Sequence, residues 1–514
     1  MKKHIFFVLL LALTMTLVCA CGKGTSKKGN SSTGATSDGG SVIVGITNDM
    51  DSLDPHKAVA AGTREVLYNI FEGLVKADEN GVMQPAVASE YSISEDATTY
   101  TFTLRDDVTF HNGNKVTASD VSYSLKRAAG FLDDSEDIKV VTAFSIISDI
   151  TEQTSEDGKT QVVVTLSEPN TELINYFYSA IIPADYNDQN TSPVGTGPFK
   201  FVSYKAMDSV VIERYDDYYG TPAHLNEVTF KIYSNVDDAF TEILAGSIDI
   251  FPYISVDQAA QLEDAYNIEV GQQALAEGLY INNEDPVMSD VRVRQALSYA
   301  VDFEEIDEIA TGGVSAVLKT GMFPSYKEYY NEETESYYKH DPEKAKELLA
   351  DAGYADGLDI EITIPNNYQL HVSVGEVIVD QLKDAGINAT IKQVDWSTWL
   401  QDVYSDRNYQ TTIIALDATL APGNVLRYYY EDNSSCFTNF NDAEFNELYD
   451  AAVAAVDQSE KVELYKEAEL MLTEKAASVF LMSPAISVAV SKDLAGYTFY
   501  PIYVQDMSKI YYVE

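Results

Sequence analysis

The order of residues from Met1 to Gly40 limits this chain more than anything that follows it. Met1, Lys2 and Lys3 put positive charge ahead of a short apolar core, Ile5 to Val18. That core is too short to span a bilayer comfortably as a permanent helix. Charge, then apolar core, then small residues is the order of a secretion signal. Gly22 to Gly40 has almost no apolar side chains, so it cannot bury a core and reads as a spacer. Folding is left to the residues beyond Gly40, outside the cytoplasm. Cys436 is the one cysteine among them, because Cys19 and Cys21 lie in the signal region. No disulfide can form within such a body, so the size of its core must stabilise it. A chain of 514 residues is long enough for that and too long for one core; two or three domains are expected.

Val18-Cys19-Ala20-Cys21 resembles a lipobox. The resemblance implies that residues 1–20 are a lipoprotein signal peptide and that Cys21 is acylated. Residues 21–40 are then a flexible tether at the extracytoplasmic face of the cell membrane. A plain cleaved signal is the alternative, and Val18 and Cys19 depart from the commoner box. No later segment is apolar for long enough to span a membrane. The formal net charge of −47 repels nucleic acid phosphates and anionic headgroups. Nucleic acid binding is therefore excluded, and membrane contact is expected through the lipid anchor only. Hydrophobic content of 45% excludes wholesale disorder. Six scattered histidines include no pair at helical ligand spacing, so neither a metal site nor a cofactor is expected.

Along the body, Ser41 to Ile46 is predicted as a strand. Thr63 to Leu74 is predicted as a helix with Val66, Leu67, Ile70, Phe71 and Leu74 on one face. Thr99 to Leu104 alternates as a half-buried strand, and Gln161 to Leu166 is another. Thr117 with Asp120 opens a helix that buries Val121 and Leu125. Asp341-Pro342 starts a helix that Gly353 stops, and Asn441 with Glu444 is predicted to cap a further one. Strands and helices are mixed throughout, so the class is α/β or α+β with more than one sheet. Gly195-Thr196-Gly197 lacks the third glycine of a dinucleotide loop and runs into Pro198. It is read as a tight turn before a strand Phe199 to Ser203. No nucleophile elbow, His-Glu-x-x-His or Walker loop occurs, so nothing supports an enzyme.

From Ser52-Leu53-Asp54-Pro55-His56 onward the chain resembles the solute-binding proteins of oligopeptide ABC transporters, the extracellular family 5 receptors. The likeness continues through Phe71-Glu72-Gly73-Leu74, Gln84-Pro85-Ala86-Val87-Ala88 and Thr99-Tyr100-Thr101-Phe102-Thr103-Leu104-Arg105. It runs on through Phe110-His111-Asn112-Gly113 and Gly195-Thr196-Gly197-Pro198-Phe199. Asp290-Val291-Arg292-Val293-Arg294-Gln295-Ala296-Leu297 and Asp341-Pro342-Glu343-Lys344-Ala345 close the series. The resemblance implies an α/β, periplasmic-binding-protein-like type II fold: two lobes with a hinge and an inserted subdomain in the first lobe. Lobe I would take residues 41–84, 194–275 and 485–514, the inserted subdomain 85–193, and lobe II 276–484. It also implies a non-enzymatic, monomeric receptor that passes ligand to ABC permease subunits.

In such receptors a peptide lies between one strand from each lobe, paired through the main chain. By that likeness Val59, Ala60 and Ala61 stand on the first-lobe side and Ile413, Ile414 and Ala415 on the second. Asp417 falls where the family pairs an aspartate with the peptide's α-ammonium. The tryptophan usual three residues earlier is here Ile414. Trp396 matches the pocket tryptophan, Trp399 is read as structural, and Tyr280 and Asn282 are placed in the cleft near the hinge. No basic residue follows Trp396 to hold a C-terminal carboxylate; Arg407 is the substitute. The 35 tyrosines keep an oligosaccharide ligand open as the runner-up to peptide. Nickel or haem binding, an extracellular hydrolase and a non-transport sensory receptor are further alternatives.

Overall fold

Two sheets carry the body, and the chain moves between them at two neighbouring points. The computed structural model describes residues 36–132, 138–272, 275–323, 326–417, 420–431 and 435–513. Cys21, the signal and most of the spacer lie outside the described residues. The first lobe is built on a seven-stranded sheet in the order Tyr266–Gln272, Ala485–Ser491, Ile250–Ile254, Ser41–Ile46, Glu227–Ile232, Ser209–Arg214, Phe199–Lys205. The second rests on a six-stranded sheet, in the order Ala316–Val317, Ser478–Ser483, Leu275–Ile281, Thr411–Asp417, Leu358–Pro365, Ile387–Val394. Gln272 pairs with Ala485 in the first sheet, and Leu275 and Ser483 belong to the second. The two crossings therefore run side by side as a hinge. Within the second lobe the helix Gln369–Asp384 joins the parallel strands Leu358–Pro365 and Ile387–Val394 as a βαβ unit.

The subdomain inserted in the first lobe has its own antiparallel sheet, Ala88–Ile93, Thr99–Leu104, Thr160–Leu166, Ile147–Thr154. Alternation in Thr99–Leu104 sends Tyr100, Phe102 and Leu104 into a core with Phe144 and Phe177, where Phe102 meets Phe177 edge-on at 4.8 Å. The Thr117 cap is present: its side chain accepts from Asp120 N–H, and the Asp120 carboxylate accepts from Thr117 N–H. Among the described residues no helix is long and apolar enough to cross a membrane.

Several predicted boundaries move. The first helix is Ala61–Leu67 and ends seven residues before Leu74. In the turns that follow, the Asn69 side chain ties the helix to another segment, donating to Val66 O and Gln505 O and accepting from Met507 N–H. Asp442, not Asn441, caps the helix Ala443–Ala454. Its carboxylate accepts from the N–H of Glu444 and Phe445, while Asn441 donates to Glu431. The strand after Gly197 extends to Lys205. The Gly195-Thr196-Gly197 segment lies directly on the carbonyls of Asn69 and Ile70. A Cβ on Gly195 would collide with Ile70 O, and one on Gly197 would meet Asn69 O at 2.6 Å. The two glycines dock one segment on another.

Candidate ligand-binding cleft

On the first lobe the cleft wall begins at Asp51. Its carboxylate accepts the N–H groups of Val59 and Ala60 at 2.7 and 3.0 Å. Burial opposes the charge on Asp51, but the bonds from Thr63, Val59 and Ala60 hold its carboxyl below the ordinary value. Val59 and Ala60 lie outside any strand and Ala61 starts the Ala61–Leu67 helix, so this side offers a pinned loop. Behind it the Asp54-Pro55-His56 turn is fixed by Arg127, whose two terminal nitrogens reach the Asp54 oxygens at 2.9 and 2.6 Å. His56 Nε2 lies 2.9 Å from Ala180 O. Burial, then the nearby Arg127 charge, pushes the His56 imidazole down to about 4. The ring is therefore neutral near pH 7, donates through Nε2, and keeps Nδ1 as a buried acceptor without a partner among the described residues.

The second lobe contributes the strand Thr411–Asp417. It pairs with Leu275–Ile281 along its whole length, from Thr411↔Ile281 to Asp417↔Leu275. On its other side, among the described residues, it pairs with Leu358–Pro365 only through Thr411 and Thr412. Ile413 packs into the core of Leu279 and Ile362, and Ile414 into the opposite, aromatic core of Tyr280 and Phe437. Beyond Thr412 the strand thus buries its first side chains on both faces and leaves one main-chain edge without a register partner. Ala415 and Leu416 are half-buried, and Asp417 ends the run exposed. An extended chain could add to that edge.

A cavity of about 250 Å³ lies where the two walls meet. Arg64, Tyr178 and Tyr503 line it from the first lobe and its C-terminal segment, and Leu275 and Asp417 from the hinge edge of the second. The Asp417 side chain is 64% exposed, and its one ion pair among the described residues is a 3.8 Å contact to Arg427. That guanidinium is otherwise engaged by Asn424 and stacks over the Tyr428 ring. Burial and then the Asp417 charge push the Tyr503 phenol up to about 12. A second cavity of about 700 Å³ shares Tyr68, Phe71, Tyr178 and Ile502 with the first, and Tyr218, Tyr219 and Tyr500 wall it.

Of the residues singled out from sequence, Asp417 lines the cavity and Ile413, Ile414 and Ala415 lead to it; Ala58, beside Val59, also lines it. Trp396 lies further along the second lobe. It is 38% exposed, stacked on Trp399 at 5.2 Å and edge-on to Tyr368. Trp399 is buried and donates Nε1–H to Thr412. Tyr280 is buried, with its hydroxyl on Ala276 O. Asn282 is saturated, donating to Arg407 O and Tyr409 O and accepting from Asn439. Arg407 donates to Asn439 and does not line the cavity. Sequence reasoning missed Arg64, Tyr178 and Tyr503. Arg64 shares a helix with the apolar face that was recognised, and no local pattern distinguishes it from a solvated surface cation. Among the described residues no group of three or more potential ligands is arranged to hold a metal ion.

A family model described as bacterial extracellular solute-binding proteins, family 5 middle, matches residues 82–435. The chain is similar to the glutathione-binding protein GsiB of Salmonella paratyphi A, 26% identical over 90% of this chain and 92% of the relative. It is also similar to the dipeptide-binding protein of Escherichia coli K12, 24% identical over 81% of this chain and 84% of the relative. Among solved structures, the ABC transporter substrate-binding protein CtaP of Listeria monocytogenes superposes with a TM-score of 0.81. It is 25% identical, covering 93% of this chain and 100% of that one.

Proposed function

Because the chain belongs to the bacterial extracellular solute-binding proteins of family 5, we propose that it is the substrate-binding component of an ABC importer. It takes peptides into the cleft between its lobes and delivers them to a membrane permease. The observation that carries the peptide reading is the open edge of Thr411–Asp417, which ends in an exposed carboxylate at the cavity. A peptide main chain adds to that edge without regard to side chains, and its α-ammonium meets Asp417 in a charge-assisted hydrogen bond. The amides of Val59 and Ala60 are held by Asp51, so the first lobe contributes the Val59 carbonyl and the helix behind it rather than amide donors. The relatives are named for what they bind, and this reading gives the chain no reaction to catalyse.

Acylation at Cys21 and a monomeric body at the extracytoplasmic face belong to the same reading, supported by the order of the signal residues. The oligosaccharide alternative has the tyrosine-walled second cavity on its side. Against it, the hydroxyls of Tyr218 and Tyr219 are engaged by Glu72, and that of Tyr500 by Asp506. A thermal-shift screen of the purified protein separates the two, since a ligand that binds only the folded state raises Tm. Short peptides should raise it and oligosaccharides should not. A rise with oligosaccharides alone overturns the peptide reading.

A further inference from the structure

The cavity of about 700 Å³ belongs to the first lobe, its inserted subdomain and the C-terminal segment. No residue of the second lobe lines it, so it does not depend on how the lobes stand. Lys76, Arg105 and Lys509 all line it, in a chain where acidic residues outnumber basic ones 81 to 34. Each cation stands over a tyrosine ring of the same wall. Lys76 lies over Tyr218 at 5.6 Å, Arg105 over Tyr219 at 5.3 Å and Lys509 over Tyr500 at 5.3 Å. Only two other such pairs occur among the described residues, so the cations are gathered here.

The three acids of this wall are already served. Glu72 accepts from Lys76 and from the hydroxyls of Tyr218 and Tyr219. Asp506 accepts from Tyr500 and Ser508, and Asp78 from the N–H groups of Asn80 and Val82 and the amide of Gln84. Lys509 is paired with Glu79. Arg105 differs. Its Nε donates to Ala86 O at 2.7 Å, but its terminal nitrogens meet no acceptor among the described residues, although the side chain is half-buried. The Tyr68 hydroxyl on the same wall also has no hydrogen bond to a described residue. Burial and then the Asp506 charge push that phenol up, so it stays a donor. What the cavity has left to offer is donors.

We propose that this cavity is a second binding site, separate from the cleft, for a small organic acid with a flat ring body whose carboxylate or phosphate is held by Arg105. The inference does not rest on the peptide reading. A planar guanidinium meets either anion through two parallel hydrogen bonds, and the Nε bond and the Tyr219 ring fix its plane. A neutral ligand would displace water from that guanidinium without replacing its bonds. Tyr68, Phe71 and Ile502 supply aromatic and apolar surface for a ring. The hydroxyls of Tyr218, Tyr219 and Tyr500 are spent on Glu72 and Asp506, which leaves them little to give a sugar. The volume is far more than an inorganic anion fills.

The test is titration calorimetry on the whole protein with benzoate, phenylacetate and phenyl phosphate, the neutral benzamide and phenylacetamide, and inorganic phosphate. An acid should bind about 10- to 100-fold more tightly than its amide, the range of a hydrogen bond to a charged group. The ranking of the carboxylates against phenyl phosphate identifies the preferred anion. In Arg105→Gln the acid should fall to the affinity of its amide, and Arg105→Lys should recover part of the difference. Because Arg105 also bonds Ala86 O, its loss can disturb the fold, and a second variant avoids it. Thr221 is exposed and lines the cavity, so Thr221→Trp should narrow the site and abolish acid binding at wild-type Tm. Asp417→Ala should leave acid binding unchanged, since Asp417 lines the other cavity; a loss there would place the acid in the cleft and overturn the second site. Equal binding of acid and amide, inorganic phosphate bound as tightly as the organic acids, full binding by Thr221→Trp or by a folded Arg105→Gln, or no binding of any probe each overturns the inference and leaves the peptide reading standing.

Discussion

Asp417 and Glu65 are both carboxylates near the cleft, yet their surroundings give them opposite roles. Asp417 is exposed at a strand end, with a long 3.8 Å contact to Arg427. Asp417→Ala should weaken peptides with a free α-amino group by about 10- to 100-fold and leave N-acetylated peptides unchanged, as read by calorimetry. Equal losses for both would remove it as the ammonium anchor. Glu65 is buried against Tyr253, and burial pushes its carboxyl up to about 7, with the Tyr253 bond and the Arg64 charge only partly opposing. The folded protein therefore holds that proton more tightly than the unfolded chain. Stability from this group is greatest below the unfolded value near 4.5 and is lost as pH rises through about 7, by about 3 kcal/mol in all. Glu65→Gln should flatten the fall in Tm across that window and raise stability at pH 8; an unchanged pH profile would refute it. Asp417 could be put forward from a motif because the residues that suggest it lie in one strand. Arg64 could not, because being unpaired is a property of everything around it.

At the scale of elements, period and capping chemistry carried most of the information. Ser41–Ile46 and Thr99–Leu104 occupy the residues that their alternation indicated, and Thr117 caps its helix as its spacing with Asp120 suggested. Ile70, Phe71 and Leu74 keep helical spacing beyond the end of the first helix at Leu67, while Asn69 bonds both to that helix and to the C-terminal segment. Asn441 with Glu444 has the spacing of a capping box, yet Asp442 caps the helix, and its carboxylate is also the partner of Lys475. Asp442→Ala should destabilise the fold by about 1 kcal/mol for the cap alone, seen as a lower urea midpoint with unchanged slope. Gly197→Ala should cost about 1–3 kcal/mol, because its Cβ would meet Asn69 O, a backbone atom that cannot turn aside. A Gly197→Ala protein with wild-type stability would show that the docked segment can move.

At the scale of the whole molecule, the inserted subdomain does more than enlarge the first lobe. Thr171 donates N–H and Oγ–H to Val453 O, and Glu172 accepts from Gly423 N–H and Tyr465 O–H. These partners belong to the second lobe, so the two halves meet away from the hinge. Burial pushes the Glu172 carboxyl up and the neighbouring Lys461 ammonium down, against the attraction between them. Glu172→Ala would strand that ammonium and should cost about 3–5 kcal/mol in denaturant unfolding, while Glu172→Gln, which can still accept from Gly423, should cost less. Equal losses would mean that the charge is irrelevant there. The sequence by itself determined the mixed class, most strands and caps and the family, and it put forward the export signal and Asp417 as candidates. Those depend on contacts within a few residues, or on motifs kept in order along the chain. Only the tertiary structure decided that Asp51 ties up Val59 and Ala60, that Tyr280 and Asn282 bond to the chain itself, and that Arg64 lines the cleft with no side-chain partner among the described residues. Each of these depends on which distant segments a side chain meets after folding, and local spacing holds no record of that.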